Sequence, residues 1–279
     1  MKVIFTCGGT AGHVNPALAL AGYMRKKDPA VEVLFVGTPE GIERDLVAQA
    51  GYDYRGIAVG SLERSVSWEA IRHNCKSAWE MLALRRKTGA ILKEFPADLV
   101  VGTGGYASYP MVKYAALRGI PTAVHEANMI PGLTTKMLEK HASRIMVGFE
   151  ECRALYKHPE RIAVTGTPVR GDFFDLTHEE AKAALGMGQD EPLVVSFWGS
   201  LGASTMNRQM LDFFKKEKED GYPFYHIHAV GGRGWETMQQ EMQKAGLPGS
   251  HKLDVRKYIY DMAVVMRAAD LVICRAGAS

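Results

Sequence analysis

The stretch Gly8-Gly9-Thr10-Ala11-Gly12-His13 constrains the fold of this chain more than any other part of it. It follows the apolar run Val3-Ile4-Phe5 and precedes the helix-like segment Pro16-Ala17-Leu18-Ala19-Leu20, so the order is strand, glycine loop, helix. A loop that leads from a buried strand directly into a helix leaves the first N–H groups of that helix unpaired, and glycines let a ligand approach them. The sequence therefore predicts an anion-binding loop here.

The spacing of these glycines argues against a dinucleotide-binding protein. That fingerprint has glycines at its first, third and sixth positions and an acidic residue at the end of the second strand. Here the glycines occupy the first, second and fifth positions, and the run Val33-Leu34-Phe35-Val36 ends in Gly37. The sixth position is His13, whose imidazole can accept a proton near neutral pH. A histidine that only caps the helix is the alternative.

Short apolar runs alternate with helical stretches along the first part of the chain. Nearly continuous apolar strands separated by helices are typical of a parallel sheet covered on both faces. The sequence predicts strands at residues 3–7, 31–36, 98–101, 121–125, 145–147 and 162–165. The fold class is therefore α/β, with a Rossmann-like first domain.

The same unit repeats later in the chain, with a strand at 193–197, a glycine loop at 199–203 and then a helix. Because 279 residues exceed one usual domain, two domains are expected. We expect the first over 1–168, a linker with a connecting helix over 169–190, and the second over 191–279. Thr177 and Glu180 should form a capping box. The glycine loops of both domains should open onto one interdomain cleft.

The composition limits the possible partners. The net charge of +3 is small and evenly spread, which does not favour nucleic acid. The four cysteines are far apart, with neither a CxxC motif nor a secretory leader, as expected of reduced thiols in a cytoplasmic protein. Charged residues interrupt every apolar run, so no transmembrane helix is expected and any membrane contact should be peripheral.

The segment from Trp68 to Lys93 is a candidate for such a contact. One helical face of the segment is apolar and should pack on the sheet. Met81 and Leu84 fall off that face among several arginines and lysines, so they are expected to point outward. A basic helix with outward apolar residues can lie against anionic lipid headgroups. A solvated charged face is the alternative.

A second glycine loop, at 102–108, follows the predicted strand at 98–101 in the first domain. Two such loops in one domain suggest a diphosphate ligand, because two phosphates need more N–H donors than one helix start supplies. The alternative is that Gly104-Gly105 is simply a tight turn between a strand and a helix.

An ordered set of motifs resembles the MurG family, glycosyltransferase family 28, along the whole chain. The motifs are Gly-Gly-Thr-Ala-Gly-His at 8–13, Gly-Gly-Tyr at 104–106, His-Glu-Ala-Asn at 125–128, Gly-Thr-Pro-Val-Arg at 166–170, Gly-Ser-Leu-Gly-Ala at 199–203 and Cys-Arg-Ala-Gly at 274–277. The resemblance implies a two-domain GT-B fold and inverting transfer of N-acetylglucosamine from UDP-N-acetylglucosamine to undecaprenyl-pyrophosphoryl-N-acetylmuramoyl-pentapeptide. It also implies a peripheral protein on the cytoplasmic face of the cell membrane.

The resemblance further implies a set of site residues. The donor contacts carried over from the family fall on Thr10, Ala11, Gly12, Asn128, Arg170, Ser200 and Ile259, and the acceptor diphosphate should lie at Gly104, Gly105 and Tyr106. His13 is the first candidate for the base that takes the proton of the acceptor hydroxyl. Glu126 is the second, and a carboxylate that only orients His125 or caps a loop is its alternative.

Neither a cofactor nor a metal is expected. The family has no metal requirement, and this chain contains no Asp-x-Asp motif. His226 and His228 have the spacing of a ligand pair, but a buried strand is a poor place for a metal. Stabilisation of the leaving UDP should then come from N–H groups and a helix N-terminus near 200–203.

The sequence departs from the family pattern at three places. Trp198 stands where the family usually has glycine, Thr167 where it usually has asparagine, and the chain stops at Ser279 where the family continues. We therefore expect an unfinished second sheet with an exposed strand edge, and weak or absent binding of the UDP-sugar. Two other functions remain open, a UDP-N-acetylglucosamine 2-epimerase of the same fold and a non-catalytic fragment that binds a lipid diphosphate or a nucleotide sugar.

Overall fold

The structure is a computed structural model that describes residues 1–58, 83–199, 202–247 and 250–275. The chain divides into two compact units, of which the first is Met1–Arg170 and the second Gly171–Gly277. Most of the segment from Trp68 to Lys93 lies outside the described residues. Among the described residues, no helix combines the length and the apolar character needed to cross a bilayer.

The first unit is a parallel sheet of seven strands in the order β3-β2-β1-β4-β5-β6-β7. The strands are β1 (Lys2–Thr6), β2 (Glu32–Gly37), β3 (Asp53–Gly56), β4 (Leu99–Gly102), β5 (Thr122–Glu126), β6 (Arg144–Val147) and β7 (Ile162–Val164). The helices are α1 (Ala11–Lys27), α2 (Ile42–Gln49), α3 with 83–94 described, α4 (Ser108–Ala116) and α5 (Leu133–Leu138). The six strands predicted from the sequence in this unit are confirmed.

Both faces of this sheet are covered, as the apolar strands predicted. Successive residues of a strand point to opposite faces. Val3 and Phe5 of β1 therefore pack in one core with Val14 of α1, whereas Ile4 packs in the other with Met111 of α4. Register places Phe5 beside Phe35 in β2. Because β1, β4 and β5 are neighbouring parallel strands, the loops that follow them leave from the same edge of the sheet.

The prediction that Leu84 points outward is wrong. Its side chain is only 5% exposed and belongs to the core that contains Ile57, Leu92 and Met111. Arg85 and its neighbours 86 and 87 are exposed instead. In the described part of α3, Leu84 and Leu92 therefore lie on the side that packs in this core. Met81, the other residue expected to point outward, lies outside the described residues.

The second unit has a parallel four-stranded sheet in the order β10-β9-β8-β11. Its strands are β8 (Leu193–Phe197), β9 (Tyr225–Ala229), β10 (Leu253–Arg256) and β11 (Leu271–Cys274), and its helices are α6 (His178–Ala184), α7 (Ser204–Glu219), α8 (Trp235–Lys244) and α9 (Met262–Ala268). Among the described strands β11 forms one edge of this sheet, and Leu271 is 55% exposed.

The connecting helix α6 begins with the predicted capping box. Thr177 Oγ1 accepts from the backbone N–H of Glu180, and the Glu180 carboxylate accepts from the backbone N–H of Thr177. The helix belongs to the second unit, since Ala181 packs with Val265 and Ala268 in its core. The residues expected as a linker from 171 onward are therefore part of the second unit.

The structure adds two strands that the sequence did not predict, β3 and β10. Each lies at the edge of its sheet; β3 is mostly exposed, whereas β10 has one buried, one exposed and two half-buried residues. An edge strand has a partner on one side only and needs few apolar residues, so its sequence lacks the apolar run by which the inner strands were recognised.

Candidate functional site

The first glycine loop connects β1 to α1 and carries the imidazole of His13. Gly9 has φ 87°, a conformation that favours glycine, and Thr10 is the N-cap residue with an extended backbone. The helix begins at Ala11, so the N–H groups of Ala11 and Gly12 lie in the first turn, before the intrahelical ladder begins. The predicted strand, loop and helix are confirmed at this position.

One donor of this loop is already engaged by a carboxylate. The N–H of Gly9 donates to Glu43 Oε2 at 3.2 Å. Glu43 lies in the first turn of α2 and is fully buried. Sequence reasoning did not find this contact. The donors that this loop can present to an anion are therefore the N–H groups in the first turn of α1. The N–H of Gly9 is not among them.

The imidazole of His13 is held in one tautomer. Its Nδ1 lies 2.9 Å from the carbonyl oxygen of Gly8 and 3.4 Å from Thr10 Oγ1. A carbonyl oxygen can only accept, so Nδ1 carries the proton and Nε2 carries the lone pair. His13 is half-buried. The side chain thus has the arrangement of a proton acceptor, because the nitrogen that is not bonded to the loop is the basic one.

The second glycine loop, after β4, packs directly on the first. Gly104 has φ 115°, and a Cβ there would lie 2.5 Å from His13 Cδ2. A Cβ on Gly105, at φ 79°, would lie 2.1 Å from the carbonyl oxygen of Gly8. Thr103 Oγ1 donates to the carbonyl oxygen of His13 at 2.6 Å. These glycines are therefore required by the close approach of the two loops, and not merely by a tight turn.

The third part of this edge is the loop after β5, which Glu126 organises. Its Oε1 accepts from the backbone N–H and from Nδ2 of Asn128, at 3.0 and 2.7 Å. Its Oε2 accepts from the N–H of Gly132 at 2.9 Å and from Thr135 Oγ1 at 2.7 Å. The carboxylate is 6% exposed. Four donors occupy its lone pairs, so this geometry favours the loop-holding alternative for Glu126 over the role of base.

Asn128 is exposed at this edge of the sheet. Because its Nδ2 donates to Glu126, its Oδ1 is directed away from that carboxylate and can accept from a hydroxyl. The neighbouring His125 is buried, and burial lowers the pKa of its imidazole. His125 Nε2 lies 3.3 Å from the carbonyl oxygen of Gly166. His125 therefore belongs to the support of the loop and Asn128 to its surface.

The remaining expected residues of the first unit lie at its periphery. Tyr106 is 50% exposed at the tip of the second glycine loop. Arg170 is half-buried at the end of the first unit and makes contacts within the protein. The geometry brings together the loops of His13, Gly104 and Asn128, whereas Arg170 follows β7 at the sheet margin.

In the second unit the glycine loop follows β8, as predicted. Gly202 has φ 77°, and a Cβ there would lie 2.3 Å from the carbonyl oxygen of Val230, so this loop packs against the turn after β9. Helix α7 begins at Ser204 with Ala203 as N-cap. Ser200 lies outside the described residues. Trp198 is buried in a core beside Phe214, where the family pattern has glycine.

Ile259 lies just after β10 and is buried with Val195 and Val265 in the core of the second unit. Its side chain therefore packs in that core and presents little apolar surface to a ligand. The family resemblance implies a donor contact at this residue. With the side chain buried, a donor contact at Ile259 can involve only its backbone N–H and C=O groups.

The pair His226 and His228 is a buried hydrogen-bonded network. Ser196 Oγ lies 2.7 Å from His226 Nε2 and 2.6 Å from His228 Nδ1, and His226 Nδ1 lies 2.6 Å from Glu217 Oε1. All four side chains are at most 3% exposed. Burial and the neighbouring His226 lower the pKa of His228 to about 3. The two imidazoles therefore bond to protein groups in the core of the second unit.

Comparison with known proteins gives matches along both units. The model of the glycosyltransferase family 28 N-terminal domain matches residues 3–147, and that of the C-terminal domain matches residues 193–279. A protein of Acetivibrio thermocellus is 40% identical over 278 residues, covering 100% of this chain and 73% of the relative. One of Thermoanaerobacter sp. (strain X514) is 36% identical over 278 residues, covering 100% and 74%. Both are named UDP-N-acetylglucosamine--N-acetylmuramyl-(pentapeptide) pyrophosphoryl-undecaprenol N-acetylglucosamine transferase.

Solved structures share the fold. The crystal structure of MurG from Acinetobacter baumannii has a TM-score of 0.61 at 24% identity, covering 99% of this chain and 73% of that one. A putative UDP-N-acetylglucosamine 2-epimerase from Listeria monocytogenes has a TM-score of 0.65 at 13% identity, covering 99% and 74%. At these identities the likeness establishes the fold, two parallel-sheet α/β domains of GT-B type, and does not separate a transferase from an epimerase.

Proposed function

This chain belongs to glycosyltransferase family 28 and is related along its length to the MurG-type transferases, and we propose that it transfers N-acetylglucosamine from UDP-N-acetylglucosamine to undecaprenyl-pyrophosphoryl-N-acetylmuramoyl-pentapeptide. The product is the lipid-linked precursor of peptidoglycan, so the chain serves cell-wall synthesis. The observation that carries this proposal is the imidazole of His13, whose Nδ1 is bonded to the Gly8 carbonyl oxygen and whose Nε2 is the basic nitrogen.

In the proposed reaction His13 Nε2 accepts the proton of the acceptor hydroxyl. The oxygen attacks the anomeric carbon of N-acetylglucosamine from the face opposite UDP, through an oxocarbenium-like transition state, and the bond to the UDP oxygen breaks. One proton moves to His13 and the electron pair of the broken bond leaves with UDP. The configuration at the anomeric carbon is therefore inverted.

We assign the substrates to the loops by their chemistry. The acceptor diphosphate lies at Gly104, Gly105 and Tyr106, next to the first turn of α1. Thr10, Ala11 and Gly12 contact the donor, and the Asn128 amide oxygen accepts from a sugar hydroxyl without taking a proton. Arg170 suits a phosphate because its guanidinium is always charged and binds with two donors. Glu126 acts by holding Asn128 in place.

The leaving UDP is stabilised by backbone N–H groups at the start of α7, together with Ser200, and not by a divalent cation. The support for this proposal is that the chain contains no Asp-x-Asp motif. Transfer should therefore proceed at the same rate in EDTA as in Mg²⁺. A rate that falls more than about tenfold in EDTA would contradict it, since a required metal acts at the reacting oxygen.

The acceptor requires contact with a membrane. The relatives are named for an undecaprenol-linked substrate, and an undecaprenyl chain stays in lipid, so the protein binds the cytoplasmic face of the membrane peripherally. Cosedimentation with vesicles tests this statement. Binding should increase when phosphatidylglycerol is added to phosphatidylcholine and decrease in high salt, because basic groups mediate it.

The transfer assay is the central test. The parent and His13→Ala are incubated with radiolabelled UDP-N-acetylglucosamine and a short-chain lipid-linked muramoyl-pentapeptide. Transfer by the parent should fall by about 10²–10⁴ in the variant, the usual contribution of a general base. His141→Ala is a matched control, since His141 is another histidine of the same unit that lies after α5 and away from the glycine loops.

The same assay distinguishes the transferase from an epimerase and from a non-catalytic fragment. An epimerase consumes UDP-N-acetylglucosamine without an acceptor, so label in a new nucleotide sugar would refute the transferase. A non-catalytic fragment retains the lipid diphosphate without turnover. Transfer that survives in His13→Ala at the parent rate would refute the assignment of the base.

A further inference from the structure

The buried carboxylate of Glu43 takes no part in the reaction as described above. It lies beneath the first glycine loop, in a part of the molecule made of β1, β2 and the start of α2. Its Oε1 accepts from the backbone N–H of Thr38 at 2.9 Å and from Thr38 Oγ1 at 2.6 Å. Its Oε2 accepts from the N–H of Gly9 at 3.2 Å. Each oxygen thus has its own partners.

The partners of Glu43 and of His13 belong to the same peptide group. The N–H of Gly9 and the carbonyl of Gly8 are the two ends of one peptide bond. Glu43 binds the N–H end, and His13 Nδ1 binds the carbonyl end at 2.9 Å. In a trans peptide these two bonds point in opposite directions, so the carboxylate and the imidazole lie on opposite sides of one planar, polarisable group.

Hydrogen bonds arranged in such a chain strengthen one another. A carboxylate that accepts from the N–H increases the negative charge on the carbonyl oxygen of the same peptide, and that oxygen becomes a better acceptor for His13 Nδ1–H. The effect is larger where water is excluded, and Glu43 is fully buried. The carboxylate therefore favours the tautomer with its proton on Nδ1.

The backbone around Glu43 is shaped to admit this carboxylate. A Cβ on Gly41 would lie 2.2 Å from Glu43 Oε2, one on Gly37 would lie 2.8 Å from Glu43 Cγ, and one on Gly8 would lie 3.0 Å from Glu43 Oε1. Glycines in the loop after β1 and in the connection from β2 to α2 thus leave room for one side chain. A carboxylate that served only to cap α2 would need contact with that helix alone.

Glu43 is ionised at neutral pH. Burial by itself raises the pKa of its carboxyl, but the hydrogen bonds from Thr38, from its own backbone N–H and from Gly9 bring the pKa below its usual value. Neighbouring groups respond to this charge. Burial is the larger cause and the charge of Glu43 the second cause that raise the pKa of the Cys7 thiol to about 12. The same two causes raise the pKa of the Tyr54 phenol.

We propose that Glu43 is a positioning residue of the transfer reaction, which acts through the Gly8–Gly9 peptide to hold the proton on Nδ1 of His13 and so keep Nε2 free to accept a proton. This inference rests on the proposed function of His13 as the base. When Nε2 takes the proton of the acceptor hydroxyl, the same chain of hydrogen bonds stabilises the imidazolium that forms.

The variant Glu43→Gln breaks the chain at one place. Its single amide oxygen keeps more partners when it faces Thr38, so the amide NH₂ faces the N–H of Gly9, and two donors then oppose each other. The matched control is Glu139→Gln, because Glu139 is also a buried carboxylate of the first unit that accepts from backbone N–H groups, those of Lys157 and His158.

The first measurement is the tautomer of His13 by ¹⁵N NMR on histidine-labelled protein, with the signals of His13 identified by their loss in His13→Gln. The parent and Glu139→Gln should show the proton on Nδ1. Glu43→Gln should show a substantial population with the proton on Nε2. A parent with its proton on Nε2, or an unchanged tautomer in Glu43→Gln, would overturn the proposal. This readout does not depend on turnover.

The second measurement is the kinetics of transfer. Glu43→Gln should lower kcat roughly tenfold to a hundredfold, as loss of an outer hydrogen-bond partner does for other functional histidines, with little change in the KM for UDP-N-acetylglucosamine. In a His13→Ala background it should lower kcat no further. An equal loss in both backgrounds would mean a structural role and would overturn the proposal.

The two hypotheses fail in different ways. If His13→Ala abolishes transfer while Glu43→Gln changes neither tautomer nor kcat, the role of Glu43 is refuted and the base stands. If His13→Ala transfers at the parent rate, the proposed base is refuted and the role of Glu43 in catalysis falls with it, whatever the tautomer.

Discussion

Replacing Glu126 with glutamine separates the two roles that the sequence leaves open for this carboxylate, proton acceptor and loop anchor. Each carboxylate oxygen accepts from one backbone N–H and one side chain, with Asn128 on one side and Gly132 and Thr135 on the other. Glutamine has one acceptor oxygen. Whichever way the amide is turned, one backbone N–H in a buried place faces an NH₂ group.

The magnitude follows from these contacts. A hydrogen bond to a charged acceptor contributes about 1.5–3 kcal/mol, and an unsatisfied buried donor costs about 1–3 kcal/mol. The hydroxyl of Thr135 can turn to accept from the new amide, which recovers part of the loss. We expect a destabilisation of about 3 kcal/mol, which for a unit of this size lowers Tm by about 6–12 °C.

The kinetic consequence distinguishes the two roles of Glu126. If the carboxylate anchors the loop, Glu126→Gln should raise the KM for UDP-N-acetylglucosamine, since Asn128 loses its fixed position, and should lower kcat by less than about tenfold. If Glu126 is the base, kcat should fall by about 10²–10⁴. Thermal unfolding and the transfer assay are therefore measured on the same preparations.

Thr135 supplies the controls for this experiment. Thr135→Val keeps the shape and removes one of the four donors, so it should lower Tm by part of the loss in Glu126→Gln. Thr135→Ser keeps the hydroxyl and should stay near the parent. A Glu126→Gln protein with the Tm of the parent and a collapsed kcat would refute the reasoning from hydrogen bonds.

Three further predictions follow from close contacts and burial. Gly104→Ala should lower kcat through its clash with His13. Gly119→Ala, at φ 75° with open space around it, should keep the parent kcat and cost only about 1 kcal/mol of stability. Equal kcat values for the two variants would contradict this prediction. Burial holds the pKa of His228 near 3, below the value of about 6.5 in an unfolded chain, so the folded state binds fewer protons and stability should fall as the pH drops below 6.5. In denaturant unfolding, the free energy of unfolding should fall by about 2 kcal/mol between pH 7 and pH 5. His228→Gln should remove this part of the pH dependence. Burial raises the pKa of Cys7 to about 12, so iodoacetamide should leave this thiol unmodified in the native protein at pH 8 and label it after unfolding.

The regular elements were predictable because their causes are local. The inner strands of both sheets are apolar runs bounded by glycine or polar residues. The six inner strands for which the sequence predicted a range, β1, β2, β4, β5, β6 and β8, lie within one or two residues of it. The capping box at Thr177 is likewise a pattern of four consecutive residues. Edge strands β3 and β10 were missed because their sequences, Asp-Tyr-Arg-Gly and Leu-Asp-Val-Arg, contain no continuous apolar run.

The sequence alone also determined where the loops of the candidate site lie. The order strand, glycine loop, helix placed His13 at the start of α1, and glycine at 104 and 105 marked a second loop. These signals are short-range, because a glycine with positive φ and a helix start depend on a few neighbouring residues. They suffice to propose His13 as the base and this edge of the sheet as the phosphate site, and both assignments stay predictions.

Only the tertiary structure decided how these groups are held. Glu43 is 34 residues from Gly9 in the chain and meets it because β2 pairs with β1, and no pattern of neighbouring residues records that contact. In the same way the fold buries Leu84 in a core with residues of other elements. The donors to Glu126 are closer in the chain, two to nine residues away, but only the conformation of the loop after β5 directs all of them at one carboxylate. The contact between Glu43 and Gly9 is set by strand order and register, whereas helices and strands are set by local periodicity.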